Sequence, residues 1–227
     1  MTKKCLSFGW LLLAAVCGVG FSSCKPEKVI KPDEPVKSYE LNITVENGSM
    51  YSSIIDTVKA FMEGDQEDVA LATAGYNNGV IKLQLPLTIS EGLFSYSDFF
   101  PEGLTVSNPN VKLNILYIEA YKNDSYVGDF YYALESYTQE IDGTYMYSDT
   151  DCSIQGTLED EEFEGLISIN INLKAGWNLV YIIEQSERAE FTTTPQSGLK
   201  WFFSDYGPEY APRKAHKKLS ANFAQNR

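Results

Sequence analysis

Few residues of this 227-residue chain could do covalent chemistry. The thiols are Cys5, Cys17, Cys24 and Cys152, and His216 is the single histidine. One imidazole supplies neither a histidine-based catalytic triad nor a zinc site with several histidine ligands. No G-x-x-x-x-G-K cradles a phosphate, and Gly18 and Gly20 fall in an apolar leader. Carboxylates abound, 31 against 18 Lys and Arg. Glycoside hydrolysis needs only two, so such abundance singles out no pair. Asp149 and Asp151, with Asp142 nearby, could offer oxygens to calcium. Ser153 and Ile154 stand where an EF-hand would continue with further ligands and glycine, so a turn with capped backbone groups is expected there. The chain thus reads as one with no catalytic residue, no metal and no cofactor.

The thiol with a chemistry written around it is Cys24. Lys3 and Lys4 precede an apolar run over residues 6–21, followed by Ser22 and Ser23. A charged start, a short apolar stretch and small residues before a cut make a secretory signal, too short and wrongly flanked for a spanning helix. Phe21-Ser22-Ser23-Cys24 resembles the lipobox of bacterial lipoproteins, in which the cysteine is acylated and becomes the new N-terminus. Phe21 stands where leucine is usual. Residues 1–23 are thus expected to be the signal and Cys24 the lipid attachment site. Cys5 and Cys17 leave with the signal, so Cys152 remains alone and no internal disulfide is expected. Cys152 itself reads as a small core residue at a strand start.

Cleavage before Cys24 removes Lys3 and Lys4 and no acidic residue, taking the formal charge from −13 to −15. Such a chain is repelled by nucleic acid and by anionic membrane surfaces, so its hold on a membrane must be the lipid. Residues 24–37 hold three prolines, four lysines and three acidic residues with almost nothing to bury, an extended tether. Lys25 is not the aspartate that retains enteric lipoproteins at the inner membrane. The expected location is the outer membrane, on its periplasmic or its cell-surface side.

Beyond the tether, short strands succeed one another. Tyr39, Leu41, Ile43 and Val45 alternate with polar residues, and residues 57–62, 69–76 and 80–85 come next, with a hairpin signal at Asn77-Asn78-Gly79. Residues 88–110 have no clean period and carry Phe94, Tyr96, Phe99 and Phe100, a packed connection whose aromatics cover the core or face a ligand. Strands are expected again near 111–117, 126–134, 143–147 and 152–158, then an acidic turn over 159–164. Ile167, Ile169, Ile171 and Leu173, Gly176, then Trp177, Leu179, Tyr181 and Ile183 read as a β-hairpin that anchors the core. Residues 188–194 and 199–203 close the pattern. The fold class is all-β, a two-sheet antiparallel β-sandwich or partly closed barrel over 38–204. A split near 108–110 into two small sandwiches is the alternative, and a basic tail covers 205–227.

Trp177 and Tyr181 share the alternation of Leu179 and Ile183, and Trp201 that of Leu199 and Phe203, which assigns all three to packing. Tyr126, Tyr131, Tyr132, Tyr145 and Tyr147 are the ligand-binding candidates, because consecutive strand residues point to opposite faces and some of these tyrosines must face solvent.

The lipobox, the Asn-Asn-Gly turn running into Leu83-Gln84-Leu85-Pro86, Tyr126 to Tyr132, Tyr147 to Asp151, Leu173-Lys174-Ala175-Gly176-Trp177-Asn178 and Ser197-Gly198-Leu199-Lys200-Trp201 together resemble uncharacterised outer-membrane lipoproteins of Bacteroidetes. The resemblance implies location and fold and carries no assigned activity. The functional expectation is a non-enzymatic, membrane-anchored protein that binds a glycan or a partner protein of a surface complex. A structural or adhesin subunit, such as a fimbria-like component, is the alternative.

Overall fold

The computed structural model describes residues 38–135, 140–160, 165–185 and 187–205. The leader, Cys24, the tether, residues 161–164 of the expected acidic turn at 159–164 and the tail from 206 lie outside them. In order, the strands are β1 (Ser38–Thr44), β2 (Thr57–Met62), β3 (Val69–Gly75), β4 (Val80–Pro86), β5 (Phe94–Ser95), β6 (Thr105–Val106), β7 (Lys112–Lys122), β8 (Ser125–Glu135), β9 (Glu140–Ser148), β10 (Cys152–Asp160), β11 (Gly165–Leu173), β12 (Gly176–Gln185), β13 (Arg188–Thr192) and β14 (Lys200–Ser204). Among the described residues, only Gly48–Tyr51 and Tyr96–Phe99 form helical turns.

The fold is all-β, with two sheets packed as a sandwich and neither closed into a barrel. β1 and β4 make a two-stranded sheet. The large sheet runs β3-β2-β7-β8-β9-β12-β13-β11-β10-β6, with β14 added beside β8 and β5 beside β7. All pairings of named strands are antiparallel apart from β11–β13.

Alternation explains the small sheet. Leu41 pairs with Leu83 and Ile43 with Ile81, so one face is apolar and the residues between them are exposed. That face packs on Leu116, Ile118 and Ala120 of β7, together with Val58, Phe130 and Phe203. The odd-numbered Leu113 and Ile115 of the same strand join Met146, Ile154, Ile167, Ile169, Ile171, Val180 and Ile182 in another core. A strand with apolar residues at both parities is buried on both faces, and β7 lends one face to each core. Cys152 packs as a core residue in the second of them, 5% exposed.

Two expected hairpins are corrected. Segment 167–183 does form two strands, but β11 and β12 share no ladder. β13 lies between them, parallel to β11 and antiparallel to β12. Each long strand finds a better partner elsewhere: nine residues of β11 pair with β10, and nine of β12 with β9. The two strands therefore splay from their turn, and side chains close it instead. Asn178 accepts the Lys174 N–H on Oδ1 at 2.8 Å and donates from Nδ2 to the Lys174 and Gly176 carbonyls at 2.7 and 2.9 Å. Gly176, at φ 101°, turns the chain.

At Asn77-Asn78-Gly79 the turn is tight, with Val80 N–H donating to the Asn77 carbonyl at 2.9 Å. Its strands nevertheless part, β3 to β2 and β4 to β1, so the turn is the step from one sheet to the other. Gly48 packs here against Gly79, where a Cβ on Gly48 would lie 2.4 Å from the Gly79 Cα. Trp177 ties the sheets together as a packing residue. Half-buried, it donates its indole N–H to the Pro86 carbonyl at 2.9 Å and meets Tyr147 edge-on at 5.3 Å.

Candidate functional site

Three strands of the large sheet meet at a fork. Residues 113–115 of β7 pair with 146–148 of β9, residues 119–122 pair with 125–129 of β8, and residues 132–135 of β8 pair with 140–143 of β9. The ladders leave a gap around Leu116, Tyr117, Phe130, Tyr131, Thr144 and Tyr145, and it holds a cavity of about 50 Å³.

Cross-strand partners share a face, so register shows what flanks this gap. Phe61 of β2 is paired with Tyr117 of β7, and their rings stack 5.5 Å apart with 20° between planes. On the other side Tyr131 of β8 is paired with Phe202 of β14, also stacked at 5.5 Å. One row along, Lys59, Glu119, Asp129 and Ser204 are successive partners across β2, β7, β8 and β14. Glu119 and Asp129 are each only 6% exposed. Tyr121 donates its hydroxyl to Glu119 at 2.6 Å and Tyr126 donates its own to Asp129 at 2.5 Å. Lys59 sits 4.0 Å above the Tyr121 ring. Asp142, on β9, lines the cavity opposite. Two stacked aromatic pairs thus bracket a gap edged by carboxylates. Phe61 is buried, so the flat faces open to a ligand are those of half-buried Tyr117, Tyr131 and Phe202. Beside hydrogen-bond acceptors they suit a sugar ring, and equally a basic or aromatic side chain of a protein.

The sequence-derived tyrosines divide between two faces. Tyr131 stands on the face just described, and Tyr126 serves it through Asp129. Tyr132, Tyr145 and Tyr147 turn the other way. Tyr132 packs on Trp201 at 5.2 Å, Tyr145 lies nearly parallel to Trp201 at 6.4 Å, and Tyr147 is buried against Trp177 while accepting the Ile89 N–H at 3.1 Å. Burial pushes the Tyr132 and Tyr145 hydroxyls above the ordinary phenol range, and for Tyr145 the neighbouring Tyr39 adds to it. Trp201, Tyr132 and Tyr145 still reach the cavity wall, because the gap lies between strands and is lined from both faces.

The aromatic segment at 94–100 covers the core on the Tyr117 side. Phe100 is buried, Tyr96 and Phe99 pack against the cluster, and a second cleft of about 210 Å³ lies beneath. Asp149 and Asp151 cap backbone groups: Asp149 accepts the Lys112 N–H at 3.0 Å, and Asp151 accepts the Ala175 N–H at 2.9 Å while pairing with Lys174 at 2.8 Å. That lysine, ahead of the Ala175 N–H, holds the exposed Asp151 carboxyl below its usual range. Among the described residues no three His, Cys, Asp or Glu side chains gather as a metal ion would require.

Comparison of the chain with known protein families, with curated proteins and with solved structures returned no match. The site is therefore read from its own geometry. Phe61, Tyr117, Glu119, Asp129 and Phe202 were not singled out by sequence reasoning. The one available signal is Glu119 itself, an acid inside the apolar run from Ile115 to Tyr121.

Proposed function

We propose that the mature protein is a lipid-anchored, non-enzymatic binding protein of the outer membrane, held through Cys24, whose ligand is a glycan or a partner protein. The observation that carries the binding reading is the pair of aromatic stacks, Phe61–Tyr117 and Tyr131–Phe202, on either side of the gap bounded by Asp129 and Asp142. Aromatic faces gain by covering an apolar ring face, and carboxylates accept hydrogen bonds from hydroxyl or basic groups. The acidic charge of the chain favours neutral or basic ligands over anionic ones. The test is a glycan array and an envelope pull-down with the mature chain and its Tyr131→Ala variant. One glycan or one protein captured reproducibly, and at least tenfold less by the variant, is the expected result. Equal capture by both forms, or none by either, would overturn it.

A second reading, a structural subunit that exchanges strands, draws on β3. This strand ends the large sheet, pairs only with β2 among the described residues, and presents Val69-Ala70-Leu71-Ala72-Thr73-Ala74-Gly75 without a charge. Light scattering decides: concentration-dependent oligomers abolished by Ala70→Lys support it, and a monomer at all concentrations removes it.

A further inference from the structure

We infer that the cleft beneath the 94–100 segment is a second binding site, which takes a neutral or cationic aromatic group of phenol to indole size. It measures about 210 Å³ and is walled by Phe94, Phe99, Phe100, Met146, Ile182 and Phe191. An apolar cavity of roughly 150 Å³ stays dry and admits benzene, so this one has room for a ring and a substituent.

Its polar groups are few and differ in kind. Asn114 is spent on structure, donating to the Glu63 and Gly92 carbonyls and accepting the Ile115 N–H. Thr144 is 8% exposed, lines the cleft, and among the described residues its hydroxyl makes no hydrogen bond. A buried hydroxyl left unpaired is costly, and a ligand with one matching group would relieve that cost. The remaining polar side chains are the Tyr117 phenol and the exposed carboxylates of Glu63 and Asp98, so an anionic head is repelled and a cationic one favoured. A sugar has too many hydroxyls for this lining, and a fatty acid has the wrong charge. The cleft adjoins the gap assigned to glycan or protein binding but has a different lining. The two cavities share Tyr117, Thr144 and Ile182, but Tyr131 and Phe202 do not line this one.

The test uses the mature chain from residue 24 carrying Cys24→Ser, so that neither lipid nor detergent competes for an apolar cleft. Calorimetric titration with tryptamine, indole, indole-3-acetate, octanoate and a Lys-Trp-Lys peptide covers the alternatives. Saturable binding of indole and tryptamine is expected, with indole-3-acetate at least tenfold weaker than tryptamine. Thr144→Val, which keeps the side-chain shape, should weaken tryptamine about fivefold, and Tyr131→Ala should leave it unchanged. Tighter binding of the peptide assigns the aromatic group to a partner chain, and tighter binding of tryptamine assigns it to a free small molecule. No saturable binding, octanoate binding as tightly as tryptamine, or no effect of Thr144→Val would each overturn the inference.

Discussion

Replacing Trp177 tests how the two sheets are held together. The indole donates its N–H to the Pro86 carbonyl, 91 residues away on the last residue of β4, and its ring meets Tyr147 edge-on. Losing one such hydrogen bond costs about 1 kcal/mol, and losing an edge-to-face ring contact costs about 1 kcal/mol more. Removing a large aromatic from a core costs ~3–5 kcal/mol in all. Trp177 is half-buried, so Trp177→Ala should fall at the low end, about 3 kcal/mol. Trp177→Phe keeps a ring against Tyr147 and loses the N–H, and should cost about 1–2 kcal/mol. Urea unfolding of the mature chain, fitted for midpoint and slope, measures both. A loss below about 1 kcal/mol for the alanine variant, or equal losses for both variants, would refute the assignment of Trp177 as the fastening between sheets.

Gly79 should tolerate no side chain. At φ 88°, with its Cβ position 2.8 Å from the Gly48 Cα, Gly79→Ala is expected to destabilise by at least ~2 kcal/mol in the same assay, whereas Gly75→Ala, which meets nothing, should change little. Alkaline pH should weaken the fold through Tyr76, whose hydroxyl donates to the Gly48 carbonyl at 2.7 Å and is pushed up to about 12 mainly by burial. An unfolded tyrosine ionises near pH 10, so above that pH the unfolded state holds fewer protons than the folded one and stability falls until about pH 12. Thermal melts from pH 9 to 12 should show this decline, and Tyr76→Phe should make it shallower. Cys24→Ala should leave the protein unlipidated and released, and metabolic labelling with a fatty acid that still marked that variant would contradict the anchor.

Strands were legible wherever burial is one-sided. In β4 the alternation of Ile81, Leu83 and Leu85 with exposed neighbours marks the strand and its inner face together. β7 is apolar at both parities, so its existence could be read but not that it serves two cores. Pairing was the harder property. Gly176 and Asn78-Gly79 mark true turns, but a turn states only that the chain reverses, while the ladder partner depends on strands far away in sequence. β10, β9 and β13 outcompeted the local hairpin in one case, and β2 and β1 did so in the other. The candidate site inherits that difficulty. Parity separates Tyr131 from Tyr132, yet both acquire an aromatic neighbour from β14, a stacked Phe202 for one and a tilted Trp201 for the other. That both reach the gap depends on the fork of β7, β8 and β9, which no local pattern encodes.

Ligand capture by the mature chain, compared with capture by Tyr131→Ala and Phe202→Ala and with stability monitored in parallel, decides whether the aromatic stacks form a binding face. Wild type is expected to bind one glycan or one envelope protein, and each variant to remain folded and bind at least tenfold less. Folded variants that bind as well as wild type, or a wild-type chain that captures nothing, would contradict that role.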